Sequence, residues 1–216
     1  MADGVFVTGT GTEVGKTVVA ATIARTLAAD GKRVAVFKPA VTGLDEGVET
    51  DHELLRRASD SGQSDAEIAP YRYGPPASPH LAAALAGEEV DPARLREAAR
   101  AAVEGVDAIV CEGVGGFLVP LSPSYLVRDL AVDLGYRLVV VAAPGLGTIN
   151  HTLLTIEAAR AASLKVAAVV LNPWPEAPSE IERDNRKTIA ALAAVEVLTL
   201  PQLDLADPSS WPQLRI

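Results

Sequence analysis

The sequence predicts an α/β fold of one domain, in which a mostly parallel sheet carries helices on both faces. Two observations support this prediction. Apolar runs of strand length, such as DAIVCEG at 107–113 and RLVVVAAP at 137–144, alternate with segments of helical pattern, and repeated strand–helix units favour a parallel sheet. The runs are almost continuously apolar, which is typical of strands covered on both faces. A length of 216 residues suits a single domain over 1–216 with a full core.

The elements follow in chain order. Apolar runs that stop at Gly, Pro or charged residues predict strands at about 4–8, 33–39, 107–113, 137–144, 165–173 and 196–201. Helical periodicity and capping residues predict helices at about 17–30, 51–60, 91–105, 125–134, 148–162 and 178–193. The polar, Gly-rich stretch 42–49 is expected to be a loop. Ligands of such sheets gather beyond the carboxyl ends of the strands, which makes candidates of Lys38, Glu112, Pro144 and Asn172.

Composition excludes several classes of function. The net charge of −9 disfavours binding to nucleic acid or to an anionic membrane, because both need a basic surface. The single cysteine, Cys111, excludes an internal disulfide, and His52, His80 and His151 lack the spacing of metal ligands. The N-terminus has no export signal pattern, and no apolar stretch is long enough to span a membrane. We therefore expect a protein of the reducing cytoplasm.

The N-terminal stretch VFVTGTGTEVGKTVVAATIART, at 5–26, has the pattern of a phosphate-binding loop (P-loop). A strand, a Gly-rich turn, the sequence Gly15-Lys16-Thr17 and a helix aim backbone N–H groups at one anion. Lys16 would bridge the outer phosphates, and the Thr17 hydroxyl would ligate magnesium. The first glycine of the pattern is Gly9, one residue earlier than usual, so the loop is one residue longer than in the common pattern. The alternative is an ordinary Gly-rich turn between a strand and a helix.

Three charged residues are further candidates for this site. Glu112 ends a predicted strand, Asp51 begins a predicted helix and Lys38 ends the second predicted strand. Magnesium needs only one hydroxyl and one or two carboxylates, because it keeps several waters. Taken singly, each residue also has an ordinary interpretation: a solvated acid at a strand end, a helix N-cap and a solvated lysine.

Several motifs follow one another along the chain: VTGTGTEVGKT (7–17), KPAVTG (38–43), SPH (78–80), CEGVGG (111–116), LGTINH (146–151) and LN before Pro-Trp (171–172). Taken together, in this order and spacing, they resemble the dethiobiotin synthetases. The resemblance runs from Val5 to about Pro208, and its most specific parts are the long loop with Glu13 and the pairing of that loop with KPAVTG. It implies a stand-alone ligase for the penultimate step of biotin synthesis. Such an enzyme uses ATP, Mg²⁺, CO₂ and 7,8-diaminononanoate to close a cyclic urea.

The resemblance also implies roles for individual residues. The reaction passes through a carbamate and a carbamic–phosphoric mixed anhydride, so negative charge builds up on oxygen at each stage; fixed positive charges stabilise it. The implied catalytic residues are Lys38, Lys16 and Thr12, and the implied magnesium ligands are Thr17, Asp51 and Glu112. The implied nucleotide-binding residues are Glu13, Val14, Gly15, Lys16, Thr17, Val18, Asp51, Glu112, Gly113, Val114, Gly115, Asn172, Pro173, Pro201, Gln202 and Leu203.

The implied substrate-binding residues are Thr42, the four residues 147–150 at a helix start, and Asn185. Thr42 stands where the family usually has a serine that touches the substrate. The helix start at Gly147, Thr148, Ile149 and Asn150 is an anion site of the same physical kind as the phosphate loop. In the family it receives the substrate tail from the neighbouring chain, which implies a homodimer with a shared active site.

Three positions besides Thr42 depart from the family pattern. Asn185 stands where some members have a tyrosine that contacts the tail, and the alternative is a solvated helix residue. Gly11 replaces an acid found in some members. The resemblance implies that the Asn172 amide meets the adenine edge and that Pro201, Gln202 and Leu203 line the base. Pro173, next to Asn172, replaces a polar residue, which leaves the selectivity for the nucleotide base open.

Two other classes of protein share part of this pattern. A partitioning or septum-positioning ATPase is a protein switch with a similar loop, but it carries a signature lysine where this chain has Gly11, and often an amphipathic membrane tail. The segment LADPSSWPQLRI at 205–216 is short and broken by proline. An amidating synthetase of cobalamin type needs a glutaminase domain with a nucleophilic cysteine, whereas Cys111 lies inside a predicted strand.

Overall fold

The computed structural model of the protein describes residues 2–46 and 49–216. Its strands are β1 (Asp3–Gly9), β2 (Val34–Phe37), β3 (Ala40–Val41), β4 (Tyr71–Arg72), β5 (Ala108–Glu112), β6 (Pro120–Ser122), β7 (Tyr125–Leu126), β8 (Arg137–Ala142), β9 (Val166–Trp174) and β10 (Glu196–Pro201). Its α-helices are α1 (Lys16–Ala29), α2 (Asp51–Ser59), α3 (Asp65–Ile68), α4 (Pro79–Leu85), α5 (Pro92–Ala101), α6 (Val127–Leu134), α7 (Thr148–Ala161) and α8 (Glu180–Ala193). Short 3₁₀ helices lie at Leu44–Glu46 and Pro208–Ser210.

The central sheet is parallel, with the strand order β10-β9-β8-β1-β5-β2. Its strands are the six that the sequence predicts, and their ends agree within two residues. Alternate residues of β1 show why the predicted runs are apolar throughout. Val5 and Val7 pack on the face that carries α1 and α2, whereas Phe6 packs on the face that carries α5 and α6. The single α/β domain with helices on both faces is thus confirmed.

Smaller elements differ from the sequence prediction. The pair β3–β4, the hairpin β6–β7 and the helices α3 and α4 were not predicted. Helix α6 begins at Val127, two residues later than predicted, because Tyr125 and Leu126 pair with β6. Within the predicted loop 42–49, residues Leu44–Glu46 form a 3₁₀ helix. Residues 47 and 48 of that prediction lie outside the described residues.

The carboxyl edge of the sheet collects the candidate residues. The phosphate loop follows β1, Lys38 follows β2 and Glu112 ends β5. Because β1, β5 and β2 are neighbours in the sheet, these three positions meet at one place. The loop before α7 leaves β8 on the other side of β1, and Asn172 lies near the end of β9. In the described part of the chain, no helix is long and apolar enough to cross a membrane.

Candidate active site

The phosphate loop occupies the turn between β1 and α1. Two of its residues adopt left-handed backbone conformations, Glu13 with φ 59° and Gly15 with φ 81°. A residue other than glycine in this conformation is strained, and such strain tends to cluster where function requires it. Helix α1 begins at Lys16, directly after Gly15. The first N–H groups of a helix have no partner inside it, so this helix start presents donors to an anion.

Asn172 lies against this loop. Its Nδ2 donates a hydrogen bond to the carbonyl oxygen of Val14, at 3.2 Å. A Cβ atom at position 15 would lie 1.9 Å from the same Nδ2. Gly15 is therefore required twice, for its positive φ and for the space that Asn172 fills. The sequence predicts an adenine contact for Asn172, and the structure adds this contact with the loop.

Lys38 forms a buried ion-pair cluster with two carboxylates. Its Nζ lies 2.6 Å from Glu112 Oε1 and 2.7 Å from Asp51 Oδ2. Lys38 is only 2% exposed and Glu112 is fully buried, so the ordinary interpretations of both as solvated strand-end residues are wrong. The N-cap of α2 is Thr50, and Asp51 is the first helical residue. The carboxylate of Asp51 is therefore free to point into the cluster.

The Thr17 hydroxyl completes the cluster. Its oxygen lies 2.9 Å from Asp51 Oδ1 and 2.9 Å from Glu112 Oε1. A hydroxyl has one proton and donates to one acceptor at a time, so the two carboxylates compete for it. The three predicted metal ligands thus converge, although they are 34 and 95 residues apart in the chain.

The oxygens of this cluster fit a hard divalent cation. Magnesium takes hydroxyl and carboxylate oxygens and completes its shell with water or phosphate oxygens. Within the described residues, the buried Glu112 Oε2 atom has no hydrogen-bond partner, which leaves an oxygen available to a ligand. The described part of the chain contains no group of three or more His, Cys, Asp or Glu side chains that could hold a metal ion. A metal here would thus depend on Thr17 and on non-protein oxygens as well as on Asp51 and Glu112.

Charge and burial set the protonation of these groups. Burial has the largest single effect on Lys38 and lowers its pKa, but Glu112 and Asp51 together outweigh burial and raise the pKa to about 12. The positive charge of Lys38 holds the pKa of Asp51 below its usual range. Burial lowers the pKa of the Lys16 ammonium. Lys38 therefore stays positively charged at neutral pH.

The other residues of the loop lie around this cluster. Lys16 is buried, and its Nζ donates a hydrogen bond to the carbonyl oxygen of Gly11 at 2.8 Å. Thr12 and Glu13 are exposed at the tip of the loop. The GVGG turn after β5 packs on the loop, since a Cβ at Gly116 would lie 3.7 Å from the Cα of Gly11. This turn contains the predicted nucleotide-binding residues Gly113, Val114 and Gly115.

The predicted base-binding residues meet at the far edge of the sheet. Strand β9 continues past Asn172 and Pro173 to Trp174, which pairs with Pro201 of β10. Gln202 and Leu203 follow this pair directly. The two predicted base-binding segments are therefore neighbours, and Asn172 links them to the phosphate loop.

The loop before α7 contains the predicted tail-binding site. Gly147 precedes α7 with φ 90°, and Leu146 is 95% exposed. Asn185 of α8 is buried, at 6% exposure. Its Nδ2 donates hydrogen bonds to the carbonyl oxygens of Pro144 at 2.9 Å and Gly145 at 3.1 Å. The interpretation of Asn185 as a solvated helix residue is wrong, because this side chain holds the loop.

Thr42 follows the short strand β3, which pairs with β4. The carbonyl oxygen of Val41 accepts a hydrogen bond from the Tyr73 N–H at 2.9 Å, so the small sheet fixes the backbone just before Thr42. Thr42 itself is partly exposed. The sequence did not predict this small sheet. The sheet fixes the chain directly before Thr42, whose hydroxyl is predicted to bind the substrate.

Comparison with known proteins gives concordant matches. A family model described as an AAA domain matches residues 3–210. An ATP-dependent dethiobiotin synthetase of Anaeromyxobacter dehalogenans (strain 2CP-1 / ATCC BAA-258) is 46% identical over 198 residues, which cover 91% of this chain and 88% of the relative. The enzyme of the same name from Rhodococcus erythropolis (strain PR4 / NBRC 100887) is 40% identical, over 90% of this chain and 86% of the relative. The one from Bacillus subtilis (strain 168) is 35% identical, over 90% of this chain and 85% of the relative.

Proposed function

We infer the activity of this chain from its family, because the chain belongs to the ATP-dependent dethiobiotin synthetases. Its activity is ATP-dependent synthesis of dethiobiotin, a step in the synthesis of biotin. We propose further that the substrates are 7,8-diaminononanoate and CO₂ and that the enzyme is a cytoplasmic ligase. The single observation that carries this proposal is the buried cluster of Lys38, Asp51, Glu112 and Thr17 beside the phosphate loop.

The proposed reaction has three stages. One amine of the substrate forms an N–C bond to CO₂ and loses a proton, which gives a carbamate. A carbamate oxygen then attacks the γ-phosphorus of ATP, and ADP leaves. The second amine attacks the carbamate carbon, loses a proton and expels phosphate as the C–O bond breaks. Each stage places negative charge on oxygen, so the site must supply positive charge.

Lys38 and Lys16 supply that charge in our proposal. The pKa of Lys38 rises to about 12, which suits a fixed charge and not a general base at neutral pH. Lys16 reaches the outer phosphates by leaving the carbonyl of Gly11, which its Nζ contacts at 2.8 Å. Thr12 is exposed on the same loop, where it adds a hydroxyl for the transferred phosphoryl group.

Thr17, Asp51 and Glu112 are the proposed holders of Mg²⁺. The buried, unpartnered Oε2 atom of Glu112 supports this assignment among the described residues. When bound, the metal neutralises charge on the phosphate oxygens. In our proposal the backbone of Glu13, Val14 and Gly15 and the start of α1 hold the phosphates, and Asn172, Pro201 and Gln202 contact the base.

We propose a homodimer in which the tail carboxylate of the diamine binds at the start of α7 from the partner subunit. The N–H groups of residues 147–150 attract a carboxylate as they would any anion at a helix start. Leu146 and Leu154 are exposed apolar residues on the loop before α7 and on α7 itself, which supports a subunit contact there. Asn185 acts on the tail through the loop that its amide holds.

The test of this function is a phosphate-release assay with each substrate omitted in turn. We expect release only when magnesium-ATP, bicarbonate and 7,8-diaminononanoate are all present. Lys16→Ala is the control for the site, with an expected loss of at least about 100-fold in turnover. Equal phosphate release without the diamine would contradict the proposal.

A further inference from the structure

We propose that the Lys38 ammonium is the resident counter-ion of the metal site, which holds the two carboxylates together and leaves them when a divalent cation binds. The inference rests on the proposed function in one respect, namely that Thr17, Asp51 and Glu112 hold the metal. It goes beyond that function because it gives Lys38 a role before any substrate is present.

The geometry places the ammonium among the metal ligands. Lys38 Nζ contacts Glu112 Oε1 at 2.6 Å and Asp51 Oδ2 at 2.7 Å. The Thr17 hydroxyl lies 2.9 Å from an oxygen of each carboxylate. A positive charge therefore already sits between the two acidic side chains that are proposed to bind a cation.

Burial explains why this site needs a counter-ion. Glu112 is fully buried and Lys38 is almost so. A buried carboxylate without a compensating charge is strongly unfavourable, and two adjacent carboxylates repel each other. Lys38 offsets part of both penalties, because its ammonium contacts both carboxylates. The carboxylates can therefore converge at the end of the sheet before a metal arrives.

The same contacts make Lys38 a competitor of the metal. The ammonium lies at ion-pair distance from both carboxylates, at the oxygens that a metal would use. A divalent cation at the carboxylates would place like charges in contact if the ammonium stayed. The lysine stem is flexible and lets the ammonium swing away. Metal binding would then release Lys38 toward the oxygens of the substrate.

The test measures Mn²⁺ binding to nucleotide-free protein, with free Mn²⁺ followed by electron paramagnetic resonance. Lys38→Gln removes the competing charge, so we expect it to bind Mn²⁺ at least about tenfold more tightly than wild type. Lys32→Gln is the matched control, because Lys32 is exposed and the change in net charge is the same. We expect Lys32→Gln to bind within about twofold of wild type, since exposed charges are screened.

A second substitution tests whether the tighter Mn²⁺ binding of Lys38→Gln occurs at the proposed site. Asp51→Asn in the Lys38→Gln background should abolish it, because the gained site uses that carboxylate. Lys38→Arg, which keeps the positive charge and the ion pairs, should bind Mn²⁺ no more tightly than wild type. This variant also serves if Lys38→Gln fails to fold, since tighter binding by Lys38→Arg contradicts the inference.

The outcomes separate this inference from the proposed function. The inference is overturned if Lys38→Gln binds Mn²⁺ no more tightly than Lys32→Gln, or does not bind it at all. In that case, Mn²⁺ binding to the complex with a non-hydrolysable ATP analogue, lost in Asp51→Asn, would still support the proposed metal site. Absence of that binding would instead contradict the metal site itself.

Discussion

The Nδ2 atom of Asn172 donates a hydrogen bond to the carbonyl oxygen of Val14, at 3.2 Å, across the gap between β9 and the phosphate loop. The same nitrogen fills the space where residue 15 would carry a Cβ atom. The contact joins the predicted base-binding edge of the sheet to the loop that is proposed to hold the phosphates. Its integrity therefore depends on glycine at position 15.

The first prediction concerns this glycine. Gly15→Ala should weaken ATP binding by more than about tenfold, because a Cβ there meets Asn172 at 1.9 Å and the backbone has φ 81°. Gly11→Ala is the control, since a Cβ at Gly11 meets no atom within 4 Å among the described residues. Calorimetric titration with ATP compares the two variants. Similar losses in both would show that the space at position 15 is not what matters.

The second prediction is a pH dependence of stability. The raised pKa of Lys38 contributes stability that is complete below its ordinary value of 10.5 and is lost as pH rises toward about 12. The pKa of Asp51 is lowered from its ordinary value of 3.8. Its ion pair therefore contributes stability that is present above about pH 3.8 and is lost as the pH falls further. Lys38→Gln removes both contributions, because it deletes the partner of Asp51.

Denaturant unfolding of wild type and Lys38→Gln at a series of pH values measures this effect. The difference in unfolding free energy between the two proteins should shrink as the pH rises from about 10 toward 12 and as it falls below about 4. A difference that stays unchanged up to pH 12 would mean that the ion pair does not hold Lys38 in its charged form.

The third prediction concerns Asn185. Asn185→Leu removes the amide that donates to the carbonyl oxygens of Pro144 and Gly145, so the loop before α7 should lose its fixed position. We expect KM for the diamine to rise about tenfold, with KM for ATP unchanged, because the proposed role of this loop is to bind the substrate tail and not the nucleotide. Asp184→Asn, on an exposed neighbour, should change neither constant. Equal effects on both substrates would indicate a general loss of structure.

The fourth prediction tests the shared site by mixing subunits. Gly147→Asp places a negative charge at the start of α7 and should repel the tail carboxylate. Gly147→Asn is the control, because it has the same backbone strain at φ 90° without the charge. Homodimers of Gly147→Asp and of Lys16→Ala should both be nearly inactive. A mixed dimer would combine one intact phosphate loop with one intact α7.

Partial recovery of activity after subunit exchange would support a site built from two chains. If mixed dimers form, as judged by native mass spectrometry, and no activity returns, the tail and the phosphates bind on the same chain. The proposed homodimeric site would then be wrong, while the phosphate loop would be unaffected.

Much of this architecture could be predicted from local sequence. The six long strands were predicted because each is an apolar run that ends at a turn residue. Strands β3 and β4 were missed because two residues carry no periodic pattern, and α3, with four residues, is too short to show one. The phosphate loop could be predicted because it is one continuous motif. A switch ATPase carries a similar motif, and the match to the dethiobiotin synthetases decides against that alternative.

The contacts that organise the site could not be predicted in the same way. Asn172 and Val14 are 158 residues apart, and Asn185 and Pro144 are 41 apart. Each pair depends on how helices and strands pack, which no local pattern encodes. The burial of Lys38 is of the same kind, since it requires two carboxylates from other elements to converge. The family resemblance implied site roles for Lys38, Asn172 and Asn185. Their contacts became visible only in the folded structure.

The most direct test of the central claim is to follow the ureido carbon by mass spectrometry. Purified protein is incubated with magnesium-ATP, 7,8-diaminononanoate and ¹³C-bicarbonate, and the organic product and the phosphate are measured together. The account predicts dethiobiotin that carries one ¹³C atom, formed with one phosphate for each molecule of product. Hydrolysis of ATP without labelled dethiobiotin, or labelled product formed without ATP, would contradict it.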